Sequence, residues 1–262
     1  METLQAYFKE ALLPSMQPLY GASVFWLAGS HLYHLNTMLS DFDLVYVYFD
    51  SVAHVMPLPN EKERPSQISW KYDNGEFITS GEDNKLVSLA RFAELLTKGN
   101  PNMVELLYYP YASPAENERW DDHVLMTNFL RDIRPYTATR KLLAQYLGHV
   151  RGVVIEIEKG KLPAGKEMKR IAHARRLQIA HEYLATNGEV RVFRNSDADV
   201  ERLRQIRTSK DPYVMDREIN TLIANHAQNE ESFDAAAKKL KSTDELIEKI
   251  NKQFVGMYCF NS

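Results

Sequence analysis

A single cysteine, Cys259, in a chain of 262 residues excludes an internal disulfide and fits a reducing cytosol, with the thiol read as inert. No apolar run approaches the ~20 residues of a membrane-spanning helix. Lys9 and Glu10 interrupt the first apolar stretch, against a signal-peptide pattern. An excess of one charge is missing too: 32 basic side chains oppose 35 acidic ones, for a net charge of −3, so the whole molecule carries no polyanion-binding signature. Internal repeats are absent, and the only biased tract is the Lys/Ala-rich 235–241. What remains is an ordinary globular composition, 44% hydrophobic and 26% charged, long enough for a core shared by two closely packed domains. Any chemistry must therefore come from local constellations.

The densest of these is Leu27-Ala-Gly29-Ser30, followed ten residues later by Asp41-Phe42-Asp43-Leu44. The pattern predicts a strand, a Gly-Ser turn, a short helix and a second strand bearing two carboxylates. Alternation along a strand turns Asp41 and Asp43 to the same side, where two like charges are tolerable mainly with a cation between them. Hard divalent ions such as Mg²⁺ favour such sites and keep positions open for water and substrate phosphate. Backbone N–H groups at the Gly29-Ser30 turn are suited to holding a phosphate. Each element alone also has a plain structural reading, since Gly-Ser before a helix makes an ordinary turn and cap. Their order and spacing point to phosphoryl or nucleotidyl transfer.

Organisation along the chain agrees. An amphipathic helix is predicted over 3–13, strands over Val24–Ala28 and Leu44–Phe49, and a loop over 50–67. Asp73-Asn74-Gly75 between Ile68–Tyr72 and Glu76–Thr79 is a hairpin signal. Helical spacing predicts a helix over Leu86–Lys98 that stops at Gly99, with Asn100-Pro101 starting another to about Tyr109. The stretch 110–122 is the expected boundary between a domain over 1–120 and a helical one over 121–262. The second is predicted to carry helices near 123–131, 136–158, 165–186, 197–207, 212–226 and 231–251. The fold class is α+β: a small mixed sheet with helices, followed by a helical module.

Charge is unevenly spread: residues 40–83 lean acidic, and basic residues dominate from Lys159 to Lys210. On the helix over 165–186, Lys169, His173 and Arg176 fall within a sector of about 60°, flanked by Ala172, Ile179 and Tyr183 on one side and Leu177 and Leu184 on the other. Glu167, Arg170, Arg175, Gln178 and Glu182 form the opposite face, expected to meet solvent. Inward cations need partners, because an unpaired buried charge costs several kcal/mol. Those partners are either carboxylates of a neighbouring helix or a bound phosphate chain.

Two-metal nucleotidyl transfer commonly uses a third carboxylate. Asp83 or Glu82 follows the hairpin and is placed to supply it, although Asp83 also reads as a helix N-cap. Asp50 and Asp73 are weaker candidates, the latter because the turn explains it.

Gly29-Ser-x10-Asp41-x-Asp43 resembles the signature of polymerase-β-type nucleotidyltransferases. The longer text from Gly29 through Tyr33, Leu35-Asn36-Thr37 and Ser40 to Asp43 is similar to their RNA-repair-associated branch, often encoded beside RNA ligases or in phages. Asp83, Leu89-Ala-Arg-Phe92 and Gly99-Asn-Pro-Asn-Met-Val-Glu105 are similar to that branch's next block, and Lys169-x3-His173-x2-Arg176, Gly188 and Leu203 to Arg207 to its helical half. The likeness covers roughly residues 24–207. His34 stands where the branch usually has glycine, Met38 where it has proline, and Tyr46-Val47 where a Gly-Val pair is common.

The resemblance implies a palm-like sheet, two Mg²⁺ ions and an NTP donor, ATP among the candidates. Asp41, Asp43 and Asp83 would bind metal, and Gly29 and Ser30 would hold the terminal phosphates. Lys169, His173 and Arg176 would line the triphosphate side, and Glu105 is either structural or a support behind a ligand. The expected reaction attaches an NMP to an acceptor hydroxyl of an RNA 3′ end, such as that of cleaved tRNA, with release of pyrophosphate. An antitoxin-like enzyme that nucleotidylates a protein, and a non-catalytic nucleotide- or RNA-binding module, are the alternatives.

Overall fold

The computed structural model describes residues 23–37, 40, 43–48, 67–73, 76–78, 84–110 and 120–259. The expected helix over 3–13, nearly all of the loop over 50–67, and Asp41, Asp50, Glu82 and Asp83 lie outside these residues.

Among the described residues five strands form one mixed sheet: β1 (Ser23–Leu27), β2 (Leu44–Tyr48), β3 (Gln67–Asp73), β4 (Glu76–Ile78) and β5 (Asn84–Ser88), in the order β1-β2-β5-β3-β4. The β-branched and aromatic runs SVFWL and LVYVY pair antiparallel, with Val24 opposite Val47 and Trp26 opposite Val45. β2 then pairs parallel with β5, Val45 opposite Lys85, which needs a crossover; the β3–β4 hairpin lies within that connection. Asp73 closes β3 opposite Glu76, as its turn position predicts.

The segment read as a helix from Leu86 is a strand to Ser88 and a helix, α2 (Leu89–Thr97), from there. Leu86, Leu89, Phe92 and Leu96 fit helical spacing by coincidence across the junction. Ser88 resolves it, its hydroxyl accepting the Arg91 N–H at 3.2 Å as an N-cap. Leu89, Phe92, Ala93 and Leu96 pack on the sheet face that carries Val24, Trp26, Val45, Val47 and Val87, with Trp26 and Phe92 stacked 5.9 Å apart. Gly99 ends the helix at φ +66, where a Cβ would lie 2.7 Å from the Leu142 nitrogen. Asn100 caps α3 (Pro101–Leu106) with Pro101 at its first position, as its spacing predicts.

Among the described residues six α-helices follow: α4 (Trp120–Ile133), α5 (Arg140–Glu158), α6 (Glu167–Asn187), α7 (Ala198–Thr208), α8 (Pro212–Ala237) and α9 (Thr243–Cys259). The break expected between 226 and 231 is absent. Asn225 and Asn229 of α8 interrupt its apolar pattern because their amides reach Glu182 of α6, at 3.3 and 3.4 Å. The helix breaks instead between Lys238 and Ser242, within the stretch expected to be helical. Among the described residues no helix is long and apolar enough to cross a membrane.

α6 is the axis of this half, packed against α5, α7 and α8. The face expected to meet solvent is largely covered. Gln178 is fully buried and donates to the Leu222 carbonyl of α8 at 3.1 Å, and Arg175 lies 3.4 Å from the buried Glu218. Arg202 and Arg217 also reach Glu218, at 3.2 and 3.1 Å, so one carboxylate joins α6, α7 and α8. An inward ion pair offsets the cost that burial puts on each charge, which is why polar residues occupy this core.

His181 of α6 is buried, and neither ring nitrogen has a hydrogen-bond partner among the described residues. Burial, and then the neighbouring His226, pulls its pKa from 6.5 down to about 4. The unfolded chain gains this proton near pH 6.5 and the folded one only near 4, so stability is lost as pH falls through that window. The slope from this group is at most about 1.4 kcal/mol per pH unit. Urea midpoints measured from pH 7 to 5 should fall less steeply for His181→Leu than for the wild type.

Candidate active site

β1 and β2 bring the Gly-Ser turn against the carboxylate segment. The Ala28 N–H donates to the Asp43 carbonyl at 2.7 Å, one step beyond the Leu27–Leu44 pair. Gly29 then takes φ +58, where side chains other than hydrogen are strained. A Cβ there would sit 2.8 Å from Asp43 Cγ and still closer to a carboxylate oxygen. The glycine is therefore needed twice, for its dihedral and for the approach of Asp43. Ser30 lies in the single helical turn α1 (Gly29–Leu32) that follows, and the Leu35 N–H closes back onto the Ser30 carbonyl at 2.8 Å.

His34 stands at φ +57, a left-handed conformation that explains the glycine usual at this position in the branch it resembles. Its carbonyl accepts the Arg204 Nε–H of α7 at 2.7 Å, which holds the loop in place. His34→Gly should raise stability by about 0.5–1 kcal/mol through relief of that strain, read from a denaturant midpoint. An unchanged or lowered midpoint would mean that the loop carries no strain.

A cavity of about 480 Å³ lies between the sheet end and the helical half. Gly29, Ser30 and Asp43 line it on one side, and Lys169, His173 and Arg176 of α6 on the other. Six of the predicted site residues thus share one cavity, while Asp41 and Asp83 lie outside the described residues. Among the described residues no three metal-ligating side chains converge.

The three α6 residues differ in character. Lys169 is exposed at the cavity edge. His173 is held neutral: burial first, then the Arg176 charge, lowers its pKa from 6.5 to about 3. It therefore offers a neutral imidazole near pH 7, one ring nitrogen donating and the other accepting, rather than a third positive charge.

Arg176 has no exposed surface. Its Nη1 donates to both oxygens of Glu105 of α3, at 2.9 Å each, and its guanidinium lies 3.6 Å from the Tyr33 ring centroid. Glu105 also accepts the hydroxyls of Tyr33 and of Tyr146 of α5, the latter at 2.7 Å. Burial opposes the Arg176 charge, yet Glu105 and the two tyrosines more than offset it and its pKa is raised. Both tyrosines are pushed well above their usual value, chiefly by burial, and stay protonated donors. Of the two partners open to Arg176 in the sequence, a helix carboxylate is present in the structure. Its Nε and Nη2 have no hydrogen-bond partner among the described residues.

Two cavity cations were missed by sequence reasoning. Lys85 sits on β5 opposite Val45 and so shares a sheet face with Asp43. Arg207, in the last turn of α7, lines the same cavity as Asp43. The expected helix begins at Leu86, one residue after Lys85, and Arg207, which closes the Leu203–Arg207 stretch, is 164 residues from Asp43 with no local signal to join them.

No curated protein matches the chain. A solved nucleotidyltransferase-like protein from Exiguobacterium sibiricum 255-15 is similar at 9% identity over 90% of this chain and 77% of that one, with a TM-score of 0.34. The sequence pattern of RlaP, the RNA repair pathway DNA polymerase beta family, matches residues 23–255. With nearly the whole described chain inside that match, the protein belongs to the RNA repair pathway DNA polymerase beta family, a branch of the polymerase-β-type nucleotidyltransferases.

Proposed function

We propose that this protein is a Mg²⁺-dependent nucleotidyltransferase that moves an NMP from an NTP to the terminal hydroxyl of an RNA 3′ end, releasing pyrophosphate. The observation that carries the reading is the single cavity in which Gly29, Ser30 and Asp43 oppose Lys169 and His173. The fit to metal rests on Asp43, whose carboxylate lies against the backbone of a glycine that has no room for a Cβ. Asp41, Asp43 and Asp83 would hold the ions. In support, β2 and β5 pair in parallel with Val45 opposite Lys85, which puts a cation on the sheet face that carries Asp43. When bound, two Mg²⁺ ions would activate the attacking hydroxyl and neutralise charge on the leaving oxygen.

The chain's own residues do the rest. Ser30 and the Gly29 backbone would take the terminal phosphates, and Lys169 would add a mobile positive charge. His173, being neutral, is suited to a hydrogen bond with ribose or base without competing for the phosphates. Arg176 would form the cavity floor and hold Tyr33 next to the Gly-Ser turn. The domain over 1–120 would then supply the carboxylates and the domain over 121–262 the opposite wall.

The test incubates purified protein with Mg²⁺, each labelled NTP in turn, and either total RNA or protein extract. Label at RNA 3′ ends is the expected result. Label on protein would favour the antitoxin-like alternative. Nucleotide binding without any transfer, unchanged when Asp41 and Asp43 are both replaced by alanine, would favour a non-catalytic module.

A further inference from the structure

We infer that Arg207 is a triphosphate-positioning residue that serves as the counter-charge of Asp43 until metal and nucleotide arrive; this rests on the nucleotidyl-transfer reading of the cavity. Three arginines line the cavity, and two are committed elsewhere. Arg170 is held by both oxygens of Glu156, at 2.7 and 2.9 Å, and Arg176 by Glu105. Arg207 instead lines the same cavity as Asp43, from the last turn of α7.

The backbone beneath Arg207 is anchored. Arg204, three residues earlier on α7, bonds the His34 carbonyl at 2.7 Å in the loop that follows the Gly-Ser turn. The turn of α7 that carries Arg207 is thereby tied to the loop that follows Ser30, the kind of support a positioning group needs.

A divalent ion on Asp43 repels a neighbouring guanidinium, whereas a triphosphate offers that guanidinium oxygens matched to its planar fork. Arg207 would thus change partners as the site fills. The consequence is a pair of effects of opposite sign. Removing Arg207 makes Asp43 a better cation ligand and the cavity a poorer triphosphate ligand. A residue that only maintained the fold would move both affinities downward.

Calorimetric titration of the full chain tests this with two probes used separately: Mn²⁺ alone, and sodium tripolyphosphate in the presence of a chelator. For Arg207→Ala, Mn²⁺ should bind about threefold more tightly and tripolyphosphate about tenfold more weakly. Arg207→Lys keeps the charge and loses the fork, so its Mn²⁺ affinity should stay near wild type with tripolyphosphate in between. Thermal melts confirm that both variants are folded. Losses in both affinities together, or no change in either, would overturn the inference. Tripolyphosphate held through Arg207 with no Mn²⁺ binding in wild type would support the phosphate role and sink the metal reading beneath it.

Discussion

Asp43→Asn should lower nucleotidyl transfer by at least about three orders of magnitude while leaving the thermal midpoint close to wild type. A carboxylate that anchors a catalytic ion contributes several kcal/mol to the transition state, and each 1.36 kcal/mol is tenfold in rate. The fold is insulated from the change because Asp43 is held to the turn through its main chain: its carbonyl takes the Ala28 N–H at 2.7 Å. Asparagine keeps that bond and the side-chain shape and removes only the charge. Gly29→Ala should reproduce the loss by another route, since its Cβ would displace the same carboxylate. Single-turnover rates with labelled NTP, read beside melting curves, check both. A transfer rate within tenfold of wild type in Asp43→Asn would remove Asp43 from the catalytic machinery.

Glu105→Ala should destabilise the protein by about 3–5 kcal/mol, the usual cost of stripping one partner from a buried ion pair. Native stability is only about 5–15 kcal/mol, so this is a large fraction of the total. The loss is large because, among the described residues, Glu105 is the carboxylate that accepts from Arg176 Nη1 and from the Tyr33 and Tyr146 hydroxyls, which come from α6, the end of α1 and α5. Alanine would leave a guanidinium and two hydroxyls buried without that acceptor. The double variant Glu105→Leu with Arg176→Met should lose less than the single change, because neither charge is left behind. Urea unfolding of the three proteins decides it, and a single variant within 1 kcal/mol of wild type would show that the pair contributes little.

The sheet-side half of this site is legible in the sequence because its residues are neighbours in the chain. Gly29, Ser30 and Asp43 announce a turn and a carboxylate, and Gly99-Asn100-Pro101 announces the stop and restart between α2 and α3. What failed was of two kinds. β5 was hidden by an accidental helical register across Ser88, where a single cap overrides periodicity. Arg175 and Gln178 read as a solvated face because their partners, Glu218 and the Leu222 carbonyl, lie some forty residues downstream. Polar residues that pair with one another in a core look identical, in one dimension, to polar residues facing water. The same limit hid Lys85 and Arg207, whose relevance exists only after the sheet register and α7 bring them into one cavity with Asp43. His34 was visible as a departure from the branch's glycine, and its φ of +57 gives that departure a physical meaning.

The most direct test of the central claim is anomalous diffraction from crystals soaked with Mn²⁺ and a non-hydrolysable NTP. Manganese is expected against Asp43, with the triphosphate running along Gly29 and Ser30 toward Lys169 within the cavity. Nucleotide bound outside that cavity, or manganese ligated away from Asp43, would contradict the account.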